Sequence, residues 1–298
     1  MLKQHVASTD ADAVARLRGL GMIPLGKTNV PDLGLGQGVG ESTFGRVLNP
    51  LGRIAIGGNA AGAACAVAAG LAPFALACDT MGSLRMAAMQ CGLTGYRPSL
   101  DRGWTGGLVS PAFSFDSLGM IARRPSDLIG LDAPSPERPS DQLIWGRPAR
   151  LDDLDIHLIT RRCLAIFEVE AALHFESDLA GHSEEFPGPV LDMLIHGSRV
   201  PAVKIARARR DLAHGARVLR GLFDDVDILI LPMRFDPAAM INWALAADCA
   251  GLPSVSLPVN PAFGGLQLLA APGKDADLIA AARALMDLMP PPVLADGI

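Results

Sequence analysis

One serine stands where the sequence offers a route to reactive chemistry. Ser83 lies in Asp79-Thr80-Met81-Gly82-Ser83-Leu84-Arg85, between an apolar run (Phe74 to Ala77) and a helical pattern (Leu84 to Cys91). A serine at such a strand-to-helix turn has two uses. Its hydroxyl can cap the helix by accepting a backbone N–H, or it can attack an electrophilic carbon once a neighbouring base removes its proton. Asp79 and Arg85 flank the turn as organising groups, an ion pair or caps, not as reactants. Gln90 and Asp116, further along the chain, receive no role.

Other chemistries find less support. Cys65, Cys78, Cys91, Cys163 and Cys249 are odd in number and show no C-x-x-C spacing. They read as buried thiols of a reducing compartment, not as a disulfide frame or a zinc site. The six histidines do not cluster with them, so neither a metal nor a cofactor is expected. A net charge of -5 gives no electrostatic reason to bind nucleic acid or an acidic membrane. The chain opens without a charged-then-apolar leader, which predicts a cytoplasmic protein. Ala60 to Cys78 is uncharged over about the length a bilayer requires. It is mostly alanine, however, and Gly70 and Pro73 interrupt it, so it reads as a buried helix followed by a buried strand.

Several elements must position Ser83. At 298 residues the chain is long enough to bury a substantial core. Aromatics are only 5%, so that core should be aliphatic and closely packed on alanine and glycine. Asp10 to Leu20 predicts a short amphipathic helix and Met22 to Leu25 a strand. Gly26 to Gly58 reads as a long turn-rich stretch of the kind that is functional or disordered. A small-residue helix follows to about Ala69, then the strand and helix around Ser83. Prolines and charges between Gly130 and Arg150 mark a surface connection. A long amphipathic helix spans Val203 to Phe223, with Ile205, Leu212, Val218 and Leu222 broadly on one side. Asp227 to Leu231, Ser254 to Val259 and Leu266 to Ala270 are strand-like, and Asp275 to Leu288 predicts a closing helix. The order of apolar helices and strands points to an α/β core.

From Leu25 to Arg124 the chain resembles the amidase signature family. Gly26-Lys27-Thr28-Asn29-Val30 is similar to its G-K-T-N entry motif, Phe44-Gly45 and Asn49-Pro50 to its F-G and N-P pairs, and Gly57-Gly58 to the opening of its G-G-S-S-G-G-S segment. Asp79 to Arg85 resembles its D-T-G-G-S-I-R motif, and Cys91 to Pro98 its C-G-x-x-G-L-K-P. Ser117-Leu118-Gly119 with Ile121-Ala122-Arg123 is similar to the S-L-D neighbourhood, although Asp116 precedes the serine. Phe223 to Pro232, Gly251-Leu252-Pro253 and Gly265-Leu266-Gln267 resemble its closing segments. The resemblance implies one α/β/α amidase-like domain over 1–298 around a mixed central sheet, with the family's N-terminal part absent.

It also implies C–N bond hydrolysis by a serine nucleophile, a bridging serine on a cis peptide bond and a buried neutral lysine, with backbone N–H groups holding the oxyanion. In this sequence Ser83 takes the nucleophile position and Thr80, Met81 and Gly82 the oxyanion turn. Met81 replaces the first glycine there, and its side chain restricts angles that glycine reaches freely. The bridging serine is replaced by Asn59, whose amide hydrogen-bonds but does not relay a proton at neutral pH. The segment's other two serines are Ala60 and Ala63. The family's lysine would fall before Met1. Lys27 belongs to the entry motif, Lys3 lies too close to it, and Lys204 and Lys274 fall in unrelated helices. The expectation is an amidase-like protein that is inactive or strongly impaired toward small amides. The alternative is a divergent amidase whose base comes from a partner chain or from a missing N-terminal segment. The absent strands would leave apolar surface uncovered, which predicts a homodimer or a hetero-complex.

Overall fold

The fold is described by a computed structural model over residues 6–30, 32–35, 41–42, 44–52, 56, 58–100, 106–128, 136–233, 237–260 and 264–289. Lys3, Gly57 and Gly130 lie outside these residues. In chain order the elements are α1 (Asp12–Gly19), β1 (Glu41–Ser42), β2 (Gly45–Arg46), α2 (Ala61–Ala68), β3 (Phe74–Asp79), α3 (Ser83–Gln90), β4 (Thr94–Arg97) and β5 (Ser117–Ala122). There follow β6 (Trp145–Gly146), α4 (Ile156–His174), α5 (Glu176–His182), α6 (Gly188–Ser198), α7 (Ala202–Gly221), β7 (Ile228–Met233), α8 (Pro237–Ala250), β8 (Ser254–Asn260), β9 (Gly264–Ala270) and α9 (Asp275–Leu288).

Seven strands form one sheet in the order β3-β5-β4-β8-β9-β7-β6. Every pairing is antiparallel except β6 with β7, so the sheet is mixed. Alternation along the strands sends side chains to two apolar layers. Leu268 and Ala270 of β9 and Ile228 of β7 pack with Leu278, Ile279 and Ala282 of α9. Leu269 of β9 and Leu229 and Leu231 of β7 meet Leu219 of α7 and Ala246 and Ala247 of α8 on the opposite face. Beside them α2 and α3 cover Ala77 and Ile121. This is the α/β/α arrangement that the motifs imply.

The alanine-rich composition of α2 has a steric reason. A Cβ at Gly62 would come within 2.4 Å of the carbonyl oxygen of Asn29, so the Gly26-to-Val30 segment crosses the helix where no larger residue fits. Ala60, Ala61, Ala63, Ala64 and Val67 bury the rest of its surface. Among the described residues no helix is long and apolar enough to cross a membrane.

Two local expectations need correction. Met22 to Leu25 forms no strand: Ile23 and Leu25 are 83% and 72% exposed, with no neighbouring strand to pair with among the described residues. The buried side of α7 is Ala208, Leu212, Gly215 and Leu219, whereas Ile205 and Val218 are half-buried. Leu212 and Leu219 carry the stripe together with the small Ala208 and Gly215, Gly215 lying against Ile159 of α4 and Cys249 of α8, and Ile205 and Val218 lie at its margin.

Candidate active site

Ser83 does not cap α3. Gly82 takes the N-cap position with φ 83°, and no side chain caps the helix. A Cβ on Gly82 would stand 2.3 Å from that of Ala244, so both the left-handed angle and the contact with α8 demand glycine. With capping excluded, the Ser83 hydroxyl turns into a buried polar cluster. It donates to Oδ1 of Asn59 in a short hydrogen bond. The Cys78 carbonyl lies 3.4 Å away, and the Thr80 N–H approaches Oγ at 3.4 Å.

Asn59 lies two residues before the start of α2, with Ala60 at the N-cap between them. Its Nδ2 donates to Thr80 Oγ1 at 3.2 Å, and Thr80 donates to Asp116 Oδ1 at 2.5 Å. Asp116 Oδ2 accepts from Ser110 Oγ at 2.7 Å and from the Ala112 N–H at 3.0 Å. The pairing of β3 with β5 sets Asp79 opposite Ser117, and this register brings Asp116 beside Thr80. Burial raises the Asp116 carboxyl above its ordinary value despite these donors. No cis peptide bond occurs among the described residues, so Asn59 stands on a trans bond where the resemblance implies a cis one.

The backbone N–H groups of the turn are all engaged inside the protein. Thr80 points at Ser83 Oγ, Met81 donates to Asp248 Oδ1 at 3.1 Å, Gly82 to Asp79 Oδ1 at 2.9 Å and Ser83 to the Thr80 carbonyl at 3.1 Å. Met81 adopts φ 55°, a left-handed angle that costs a residue with a side chain about 1–2 kcal/mol. Its side chain joins the apolar cluster of Leu35, Phe115 and Leu245.

Beneath the turn lies a fully buried square of charges. Arg85 Nε meets Asp79 Oδ2 at 2.7 Å and its Nη2 meets Asp248 Oδ2 at 2.6 Å, while Arg97 Nη1 reaches Asp248 Oδ1 at 3.1 Å. Arg97 also donates to the carbonyls of Asp79 at 2.8 Å and Phe115 at 2.7 Å. Burial alone would raise the Asp79 carboxyl, but the Arg85 charge and hydrogen bond, the Arg97 charge and the Gly82 N–H hold it below its usual range. Burial raises Asp248, and its two guanidinium neighbours offset this only in part. Asp79 and Arg85 thus form an ion pair, and Asp79 also accepts from the Gly82 N–H at the turn.

A base for Ser83 is not found among the described residues. Lys27 and Lys204 are exposed, and Lys274 is ion-paired with Glu137 at the surface. Burial pushes the Cys78 thiol up to about 12, so it offers no thiolate near neutral pH. No cluster of metal-ligating side chains occurs among the described residues.

Sequence reasoning missed three residues here, Asp116, Arg97 and Asp248. Arg97 lies inside the stretch that resembles C-G-x-x-G-L-K-P, and its position on the strand after α3 was a usable signal. Asp248, 167 residues from the Met81 N–H that it receives, left no local signal at all.

The family model described as Amidase matches residues 1–133. The glutamyl-tRNA(Gln) amidotransferase A subunit of Thermus thermophilus is 30% identical over an alignment 374 positions long, covering 95% of this chain and 79% of that one. The A subunit of Nitrosomonas eutropha is 40% identical over 129 residues, which span 43% of this chain but only 26% of that subunit. Among solved structures, an amidase crystal structure gives a TM-score of 0.84 at 24% identity, covering 94% of this chain and 78% of that one. At that identity the likeness speaks for the fold alone.

Proposed function

The chain belongs to the amidase signature family of C–N bond hydrolases, and from that premise we propose that it keeps the family scaffold with a hydrolytic site that no longer works. The observation that carries this reading is the destination of the Ser83 proton. It goes to the Asn59 amide oxygen, a very weak base that neither keeps a proton near neutral pH nor passes one on. An alcohol without a base is a poor nucleophile. The engaged N–H groups of Thr80, Met81 and Gly82 support the same reading, because a forming oxyanion would have to displace Asp248 and Asp79 from them. Losing a single oxyanion donor typically costs roughly 10²–10³ in rate. In this reading the Ser83 site binds a small amide-like ligand or none, and the scaffold serves binding, assembly or regulation.

A second reading has one observation in its favour. Ile23, Leu25 and Leu71 are 72% or more exposed, and Leu71 lies just ahead of β3, an outermost strand of the sheet. Such surface suits a partner, and the Thermus relative is by description one subunit of an amidotransferase. We therefore propose a homodimer or hetero-complex, and a base supplied from outside these 298 residues would make the assembled protein an active, divergent amidase.

Ammonia release from a panel of small amides, measured for wild type and Ser83→Ala, separates the readings when each sample is also sized by light scattering. Activity at background in both proteins, whatever the assembly state, is the expected result. Turnover that vanishes in Ser83→Ala overturns the impaired reading. A monomer across micromolar concentrations that binds no hydrophobic dye removes the proposed assembly.

A further inference from the structure

The two ends of an asparagine amide have nearly the same shape, so the end that faces Ser83 is decided by the rest of its hydrogen-bond chain. That chain can be read from its fixed end. The Ala112 N–H is a backbone donor and cannot reverse; it donates to Asp116 Oδ2, as does Ser110. Asp116 Oδ1 is left for Thr80. A carboxylate only accepts, so the single hydroxyl hydrogen of Thr80 is used there. Thr80 Oγ1 then offers lone pairs alone to its other neighbours, the Cys78 thiol at 3.6 Å and Asn59 at 3.2 Å. An acceptor in that place selects the NH2 end of the Asn59 amide. The carbonyl end is thereby turned to Ser83, whose hydroxyl donates to it.

We propose that Asp116 and Thr80 are positioning residues that fix the polarity of the chain from Asp116 through Thr80 and Asn59 to Ser83, committing the Ser83 proton to an amide oxygen. The functional meaning of this polarity rests on the reading of Ser83 as the nucleophile position; the polarity itself follows from the donors and acceptors with Asp116 ionised.

Replacing one oxygen tests the inference, because Asp116→Asn keeps the shape and reverses the logic. The Ala112 N–H still requires an acceptor, so the new amide oxygen takes the place of Oδ2 and the NH2 takes the place of Oδ1. That NH2 donates to Thr80, whose own hydrogen then turns toward Asn59. The Asn59 amide rotates by half a turn and presents its NH2 to Ser83, freeing the serine proton.

The readout is the side-chain amide of Asn59 in the full chain labelled with 15N-asparagine, assigned by its loss in Asn59→Ser. In wild type the amide protons should show Overhauser contacts to the Thr80 methyl group, and Thr80→Ser should keep an amide shift like that of wild type. In Asp116→Asn the contacts should move to the Ser83 β-protons. An amide that faces Ser83 in wild type, or one that stays unmoved in a folded Asp116→Asn, overturns the proposal. Should that variant fail to fold, Thr80→Val removes the acceptor, and the Asn59 amide should exchange with solvent at least tenfold faster; unchanged exchange likewise overturns it. Fluorophosphonate labelling separates the two readings. Rapid labelling of Ser83 with the amide still facing Thr80 would sink the impaired-site reading and leave the polarity standing.

Discussion

Asp248→Asn should damage this fold far more than its conservative shape suggests. The carboxylate receives Arg85 at 2.6 Å, Arg97 at 3.1 Å and the Met81 N–H at 3.1 Å, with both arginines and Asp79 fully buried. Without its charge, two guanidinium groups share Asp79 alone, and one positive charge is left uncompensated in the interior. Removing one partner of a buried pair costs about 3–5 kcal/mol, roughly two to three and a half decades in the folding equilibrium. For a chain of this size that is a drop of about 6–10 °C in melting temperature, at roughly 2 °C per kcal/mol. Thermal melts followed by circular dichroism, with urea midpoints at constant slope as a check, measure it. Asp211→Asn is the control. Asp211 pairs with Arg162 at 2.8 Å near the surface, where solvent screens the pair and little is gained, so its melting temperature should stay close to wild type. If Asp248→Asn lies within about 2 °C of wild type, or falls no further than the control, the buried square is not what holds the turn under Ser83.

Met81 balances a strained backbone against a packed side chain, so Met81→Gly should lose roughly 1–3 kcal/mol and Met81→Ala about 1 kcal/mol more, since alanine loses the packing and keeps the strain. Equal melting temperatures for the two variants would show that the left-handed angle carries no cost. Asp79, held below its ordinary value, contributes stability that is present above about pH 4, the unfolded carboxylate value, and is lost as the pH falls through the lower folded value. The difference in stability between wild type and Asp79→Asn should accordingly hold steady from about pH 7 to 5 and collapse below about 4; a difference that persists unchanged to about pH 2 would contradict the assignment.

The sequence by itself determined several features that lie within one or two turns of chain. The closing helix over Asp275–Leu288 has the predicted bounds because its periodicity is local. The Asp79–Arg85 pair sits six residues apart across one turn, and the motif around it places Ser83 at the start of α3. The small-residue helix α2 was legible for the same reason. Met22 to Leu25 misled because an apolar run states a preference for a strand, while a strand exists only when a neighbour supplies its hydrogen bonds. The central strand β4 showed the opposite failure: Thr94 to Arg97 is buried on both faces, so it lacks the alternation that betrays a half-exposed strand. Only the tertiary structure decided the chemistry around Ser83. Asp116 reaches Thr80 through the register of β5 on β3, and Asp248 reaches the turn from α8. Register and helix packing arise from the fit of whole surfaces, and a window of sequence around Ser83 contains neither partner.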